Sequence, residues 1–471
     1  MNATNKEFKL NYKRTMIIGF AFFGILLLWQ VYDSWCPTFL TELFKKAFHT
    51  ENEQEVQYIV GIVMALDNLT ALLVMPLFGR LSDKTHTKIG KRMPYILLGT
   101  AVCAIAFPFI PIFFYYNNLA GMISMMAIIL LFAMMYRNPA VSLMPDMTPK
   151  PLRSKANGII NIMGYLGGAF ASIVGIIFVL SNYLGKKGTD HPQYGQLWVI
   201  ELPFIIASVL MVISAVILFI FVKENKIADE VKDEMARGDL VTEAVDKVTD
   251  DAPLTKANKI MLWLILGAEF FWFMADNGVS TFLVNYVQYN TGATTGIAAV
   301  LIIIGGVGSV IGFIVGGLIA SKIGRKWTLL TGLFTTVFAY ALWIIFTFTL
   351  GLSSAPLISD LPLWLYILWF VKGFGMSLVH VNSYPMVVEL CTGKKIGQFT
   401  GYYYASSMIA QTITPIAFGS LMLVPEFNGD TLPIYAAVCI VASIAVFIFV
   451  KNVKTSKTSI KRGLEALDQD D

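Results

Sequence analysis

The residues of this sequence that could do chemistry are a few ionisable side chains that interrupt long apolar stretches. An ionised side chain in hydrocarbon costs at least about 2.5–3.5 kcal/mol, so it persists only where it is paired or faces a polar cavity. The acids outnumber the bases here, and a carboxylate without a compensating charge takes up a proton or another cation. This inventory therefore predicts a cation-coupling role for the acids. It comprises the acids Asp33, Asp67, Glu269 and Asp276, the bases Arg137 and Lys372, and the histidine His380.

The elements that must position these side chains are membrane-spanning helices. Of the 471 residues, 56% are hydrophobic and 14% are charged, whereas about a quarter of the residues of a soluble domain are charged. The apolar residues come in runs of about twenty, the length of helix that crosses the hydrocarbon core of a bilayer. The sequence therefore predicts an all-α membrane protein with twelve transmembrane helices. The predicted spans are 15–40, 57–78, 93–114, 120–144, 157–181, 197–222, 259–287, 293–320, 327–350, 362–388, 398–424 and 431–450.

The distribution of basic residues predicts the orientation of these spans. With the N-terminus inside, the predicted inner segments hold 29 of the 35 Lys and Arg residues, and the outer loops hold four. The positive-inside rule then places both termini in the cytoplasm. We expect the membrane to be the plasma membrane. The formal net charge of +4 is small and comes from the loops, so we expect the lipid bilayer as a partner and no nucleic acid.

The chain divides into two similar halves. The charged stretch 223–258 has no apolar run and separates six spans from six, so we expect it to be a solvated cytoplasmic linker. The predicted domains are a six-helix bundle at 1–222, this linker, a second bundle at 259–451 and a cytoplasmic tail at 452–471. The segment Gly79–Asp83 after the second span is echoed by Gly317–Ser321 after the eighth. Such two-repeat architecture is typical of transporters whose substrate site lies near the bilayer midplane, where the repeats meet.

Two motifs resemble those of a known family. Gly79–Asp83 (G-R-L-S-D), followed by Gly90–Ile96 (G-K-R-M-P-Y-I), is similar to the loop between helices 2 and 3 of the major facilitator superfamily. Arg137–Asp146 (R-N-P-A-V-S-L-M-P-D), followed by Arg153–Gly168, resembles the glycoside-pentoside-hexuronide:cation symporters, and within them the sucrose and maltose transporter branch.

The resemblance implies a major facilitator fold and uptake of a saccharide together with a proton or a sodium ion. It departs from the melibiose-permease branch, where helix 4 carries an acid of a sodium site, because here helix 4 carries Arg137. That departure favours a proton over a sodium ion as the coupling ion. In the first motif an acid beside basic residues could latch the cytoplasmic side by ion pairing. The predicted conformational gate is Gly79, Asp83, Gly90, Lys91 and Arg92.

Depth along each helix suggests which charges could meet. At 1.5 Å per residue, Asp67 and Arg137 lie at comparable depths and could pair, and Glu269 matches His380. Asp276, Lys372 and Asp33 share a third depth. Asp67 is the favoured coupling acid because it stands midway along an otherwise apolar helix. The alternative is that these charges only tie helices together as buried ion pairs.

A saccharide needs hydrogen-bonding groups for its hydroxyls and aromatic faces for its C–H surfaces. Amides inside spans are the stronger candidates, because an amide is unfavourable in lipid unless it meets a partner or a ligand. For the aromatic residues, packing or a place in the interfacial belt is the alternative. The predicted substrate-binding residues are Trp29, Tyr32, Asn157, Asn161, Trp272, Asn277, Asn382 and Gln411.

Several functions stay open at this stage. A hexuronide could use Arg137 or Lys372 for its carboxylate, and an uncoupled facilitator or a non-transporting sugar sensor would share the same pattern. A membrane-embedded transferase would need acidic metal-binding clusters, and the adjacent acid pairs, such as Asp250-Asp251, lie in the linker and the tail. We therefore expect a monomeric transporter rather than an enzyme, with no cofactor and no metal site, whose coupling ion is H⁺ or alternatively Na⁺.

Overall fold

Helices make up nearly all of the part of the chain that the structure describes. The computed structural model describes residues 8–149, 152–186, 188–248, 256–291, 293–350, 357–358, 361–388, 390, 396–424, 426 and 429–451. Apolar runs become helices here because a helix satisfies its own backbone hydrogen bonds, which a lipid environment cannot do.

The first eight helices cover the N-terminal half of the chain. Pro108 separates α3 from α4 and removes a backbone donor at the junction, and Asn118 begins α5 by accepting a hydrogen bond from the Gly121 N–H. The helices are α1 (Tyr12–Phe48), α2 (Gln54–Lys84), α3 (Met93–Ala106), α4 (Phe109–Tyr115), α5 (Leu119–Asp146), α6 (Arg153–Ile177), α7 (Leu180–Tyr183) and α8 (Leu197–Phe221).

Seven further helices follow. Helix α10 ends in a π-helical turn at Tyr286–Asn290, and a two-residue antiparallel hairpin pairs Leu357 with Pro362 and Ile358 with Leu361. The helices are α9 (Glu224–Val248), α10 (Lys256–Asn285), α11 (Thr295–Ile323), α12 (Arg325–Leu350), α13 (Leu363–Val388), α14 (Ile396–Leu421) and α15 (Thr431–Phe447).

The predicted membrane spans are confirmed. Within the described residues, 10 helical stretches are long and apolar enough to cross a bilayer, and α3 with α4 forms one of them, Met93–Tyr115. Helices α14 and α15 occupy the predicted eleventh and twelfth spans. The protein is therefore an all-α membrane protein.

The chain forms two compact units, whose boundaries differ from the predicted domains. Unit 1 comprises Met1–Phe44 and Thr70–Thr242, and unit 2 comprises Lys45–Leu69 and Glu243–Asp471. The first half of α2 thus belongs to unit 2, although the sequence predicted it within the N-terminal bundle. Close backbone contacts explain the difference, because a Cβ at Gly61 would collide with the Pro415 carbonyl and one at Gly419 with the Gln57 carbonyl.

The linker also differs from expectation. Most of its described part is the helix α9, which begins at Glu224 and belongs to unit 1 as far as Thr242. Ile227 and Val231, four residues apart on one face of this helix, are buried in the unit 1 core beside Met93 and Leu218. The tail at 452–471 lies outside the described residues.

Candidate functional site

Three ionisable side chains of unit 2 form a half-buried cluster between α10 and α13, here called the Asp276 cluster. The Lys372 Nζ donates a hydrogen bond to the Asp276 Oδ1 at 2.6 Å, and the His380 Nε2 lies 3.9 Å from the Asp276 Oδ2. Lys372 and His380 are eight residues apart on α13, about two turns, so they reach Asp276 from the same face of that helix.

The cluster is charge-balanced when His380 is neutral. One carboxylate faces one ammonium in contact, and the side chains of Lys372 and Asp276 are 15% and 32% exposed. Lys372 also lies 6.0 Å from the ring centre of Trp369, a distance at which a cation gains from the aromatic face. The geometry thus places the Asp276 carboxyl group between the Lys372 ammonium and the His380 imidazole.

Glu269 lies on the same helix as Asp276 but in a different environment. It is 0% exposed, and neither carboxyl oxygen has a hydrogen-bond partner among the described residues. Two serine hydroxyls bind backbone carbonyls of the same part of α10: Ser406 donates to Leu266 and Ser443 donates to Ala268. An ionised carboxylate buried without donors or a cation costs several kcal/mol. Glu269 therefore lacks the neighbouring cation and hydrogen-bond donor that Asp276 has two turns away on the same helix.

The predicted gate is a network around Arg92 in unit 1, here called the Arg92 network. The Arg92 Nε donates to the Asp146 Oδ2 at 2.8 Å, and its terminal nitrogens contact Ser82 and Asp83. Lys91 joins Asp146 at 3.1 Å. The loop between α2 and α3 is thereby tied to the end of α5, a contact that the motif did not predict. The contact of Arg92 with Asp83 is the kind of ion pair that the motif predicted, and the role as a gate stays a prediction.

The charge of Arg92 is secure in this network. Burial acts to lower its pKa, but the hydrogen bond and charge of Asp146, together with Asp83, outweigh burial and raise the pKa above its usual value. The predicted gate residue Gly79 allows close packing at α5, where a Cβ would lie 2.6 Å from the Asn138 Nδ2.

Glu224 anchors the linker helix to the same loop, and the sequence analysis missed it. Its carboxylate accepts hydrogen bonds from the backbone N–H groups of Lys91, Arg92 and Met93 at 2.9, 3.0 and 3.1 Å. These donors stand at the N-terminus of α3, where a negative charge is favourable. Gly90 permits the approach, because its φ is +117° and a Cβ would collide with the Glu224 carboxyl group. The available signal was the first acid after span six.

The remaining predicted coupling residues lie elsewhere. Asp67 is half-buried in unit 2, and its Oδ1 accepts a hydrogen bond from the Asn68 Nδ2 at 2.8 Å. Arg137 and Asp33 are half-buried in unit 1. The predicted match between Glu269 and His380 gives way to the contact between His380 and Asp276.

The predicted substrate residues of unit 1 are partly brought together. Trp29 and Tyr32 meet edge to face, with ring centres 5.6 Å apart. Asn161 is half-buried on α6. The Asn157 side chain lies outside the described residues.

In unit 2 the predicted substrate residues separate into two kinds. Trp272 is fully buried and packs on Phe447, and Asn382 is buried and donates to the Leu378 carbonyl at 2.9 Å, so both serve packing in this structure. The Asn277 Oδ1 is buried without a hydrogen-bond partner among the described residues, one residue from Asp276. Gln411 is half-buried on α14. Asn277 is thus the amide best placed to accept a hydrogen bond from a ligand near the Asp276 cluster.

Unit 2 also contains a small open cavity away from these charges. Its lining includes Gln57, Asn285 and Tyr289 and none of the Asp276 cluster. The Asn285 Nδ2 donates to the Gln57 Oε1 at 3.3 Å. We therefore assign the cavity to packing between the start of α2 and the end of α10.

Apolar spans in two units and buried charges inside them define a polytopic membrane protein of the transporter class. The model of the Major Facilitator Superfamily matches residues 18–355 and 265–467. The chain belongs to the Major Facilitator Superfamily. No curated protein sequence matches it.

Solved structures share its fold. The inward-open xylose transporter XylE from E. coli is 16% identical, with 97% of this chain and 99% of that chain covered and a TM-score of 0.63. A D-xylose-proton symporter is 15% identical, with 94% and 99% covered and a TM-score of 0.66. A peptide transporter of the POT type in complex with sulfate is 15% identical, with 93% of each chain covered and a TM-score of 0.61. At these identities the likeness concerns the fold alone.

Proposed function

We propose that this protein is a secondary active transporter that takes up a saccharide, most specifically a disaccharide such as maltose or sucrose, together with a proton. The observation that carries the proposal is the Asp276 cluster, a contact of acid, base and histidine inside a membrane-spanning bundle. Groups that titrate inside hydrocarbon are expensive, and coupling to an ion is the function that uses them.

The substrate class rests on the motifs at Arg137–Asp146 and Arg153–Gly168, which resemble sugar:cation symporters. Among structures of the same fold, one is a xylose transporter and one is a xylose-proton symporter, which is consistent with a sugar. A peptide transporter shares the fold equally well, so the fold does not choose the substrate.

The proposed mechanism is alternating access. A proton binds one of the acids Asp67, Asp33, Glu269 or Asp276, the charge balance of its surroundings changes, and sugar and proton are released together on the other side. The protein acts as a monomer in the plasma membrane with both termini in the cytoplasm. In that orientation the Arg92 network lies on the cytoplasmic side and serves as a conformational latch.

The test is uptake of labelled maltose and sucrose into lipid vesicles that contain the purified protein. An imposed proton gradient should drive accumulation that a protonophore abolishes and that an imposed sodium gradient does not replace. Accumulation driven only by sodium would contradict the proton. No flux of any saccharide would contradict the proposed function and favour another substrate or a sensor.

A hexuronide is the second candidate, because Lys372 in the Asp276 cluster could bind the carboxylate of an acidic sugar. Competition separates the two. Inhibition of maltose uptake by neutral disaccharides and not by hexuronides supports the first candidate, and the reverse order supports the second.

A further inference from the structure

The two acids on α10, Glu269 and Asp276, lie seven residues apart. They differ in burial, in hydrogen-bond donors and in neighbouring cations, which together decide which of them binds a proton. Asp276 contacts an ammonium at 2.6 Å and has an imidazole at 3.9 Å. Glu269 is fully buried, with neither a hydrogen-bond donor nor a cation at its carboxyl oxygens among the described residues. The negative charge of Asp276 is balanced by the ammonium that it contacts. An ionised Glu269 has no such balancing charge, and binding a proton removes its charge.

Among the described residues, no charge on the helices packed against α10 contacts the Glu269 carboxyl group. Four helices pack most extensively on α10, namely α11, α13, α14 and α15, and the start of α2 meets the end of α10 through Gln57 and Asn285. The titratable or charged groups of their described parts are Lys322 in the last turn of α11, Tyr366, Lys372, His380 and Tyr384 on α13, Tyr402, Tyr403 and Tyr404 on α14, and Tyr435 and Cys439 on α15. Lys372 and His380 are held at Asp276, and Tyr403 is the group within electrostatic range of Glu269.

We propose that Glu269 is the site that carries the coupled proton, an inference that rests on the proposed function and names its ion and its residue. Metal cations need several oxygen ligands, whereas a proton needs one carboxyl oxygen. Glu269 offers that single carboxyl group, because no other described side chain contacts its oxygens, and the hydroxyls of Ser406 and Ser443 donate to backbone carbonyls of α10. The proton binds when the carboxylate meets water on one side of the membrane and leaves to water on the other, with no bond other than O–H formed or broken.

A chain of polar contacts runs toward the Asp276 cluster from Tyr403, which lies within electrostatic range of Glu269 without a hydrogen bond to it. The Tyr403 hydroxyl lies 2.8 Å from the Ser383 Oγ, which contacts the His380 carbonyl at 3.3 Å. The His380 ring reaches Asp276 and also packs on Phe273, with ring centres 5.3 Å apart. Protonation of Glu269 therefore changes the electrostatic potential at Tyr403. Through Ser383 the change reaches His380, which contacts Asp276.

The first experiment needs no substrate. The infrared difference spectrum between acidic and alkaline samples of the purified protein reports the C=O stretch of protonated carboxylic acids. Glu269→Gln should remove one such band, and the control Glu201→Gln, on α8 of unit 1, should leave it. A band that survives in Glu269→Gln overturns the proposal.

Thermal unfolding of the same variants shows whether Glu269→Gln is folded, which the infrared test requires. Gln has the shape of the neutral acid, so Glu269→Gln should melt within a few degrees of the wild type. A variant that fails to fold would show that the site requires the carboxylate charge, and that result also overturns the proposal.

The second experiment measures transport in vesicles. Glu269→Gln should retain exchange of labelled saccharide across the membrane and lose at least tenfold of the accumulation driven by a proton gradient, whereas Glu201→Gln accumulates normally. Accumulation by Glu269→Gln at the wild-type level overturns the proton site. If the wild type itself moves no saccharide, the proposed function fails, and the infrared result still decides whether Glu269 binds a proton.

Discussion

At the scale of single residues, the contact between Asp276 and Lys372 joins two opposite charges at 2.6 Å. Both side chains are partly withdrawn from water, so each charge depends on the other. Removing one partner of a buried pair leaves an uncompensated charge, which costs about 3–5 kcal/mol, whereas replacing both is often close to neutral.

This contact predicts a pattern of stabilities. Asp276→Asn and Lys372→Met should each lower the stability of the purified protein, at the lower end of that range because the side chains retain some exposure, and the double variant should recover most of the loss. Thermal unfolding in detergent measures it. If the two losses simply add in the double variant, the side chains do not interact in the membrane protein.

The sequence identified the residues of this site and one of their two contacts. Hydropathy located Glu269, Asp276, Lys372 and His380 inside spans, and depth along the helices matched Asp276 with Lys372. It also matched Glu269 with His380, which instead contacts Asp276. Depth depends only on residue number, whereas a contact also depends on the rotation of each helix about its axis, and a span that is apolar on all sides carries no signal for that rotation.

At the scale of elements, the helix α9 shows how a charged segment becomes part of a folded unit. Its acid Glu224 is 4% exposed and holds the backbone of Lys91–Met93, while Ile227 and Val231 enter the core. The sequence predicted a solvated linker because charge dominates the segment. The apolar residues at helical spacing, 227 and 231, were the signal for a packed face.

This anchor predicts a local loss of protection. Glu224→Gln removes the negative charge from the N-terminus of α3 and replaces one acceptor oxygen by a donor, a loss of about 0.5–2 kcal/mol. Hydrogen exchange at the amides of residues 91–93 should become faster. The matched control is Glu230→Gln on the same helix, since Glu230 is 54% exposed and only 3.9 Å from Lys226. Equal exchange in both variants would contradict the anchoring role.

At the scale of the whole molecule, the sequence predicted the fold class and the number of spans, because the length of each apolar run can be read from the sequence. The family match over residues 18–355 and 265–467 agrees with the motif at Gly79–Asp83. The division of α2 between the two units was not predictable in this way. Hydropathy defines where a span ends, whereas the glycine contacts at Gly61 and Gly419 decide which helices it packs against.

The central claim is that saccharide and proton move together, and the most direct test measures both in the same vesicles. A pH-sensitive dye is enclosed with no imposed gradient, and labelled maltose or sucrose is added outside. We predict that sugar entry acidifies the interior and that the two rates scale together as the amount of protein is varied. Sugar entry without acidification would contradict the claim and make the protein an uncoupled facilitator.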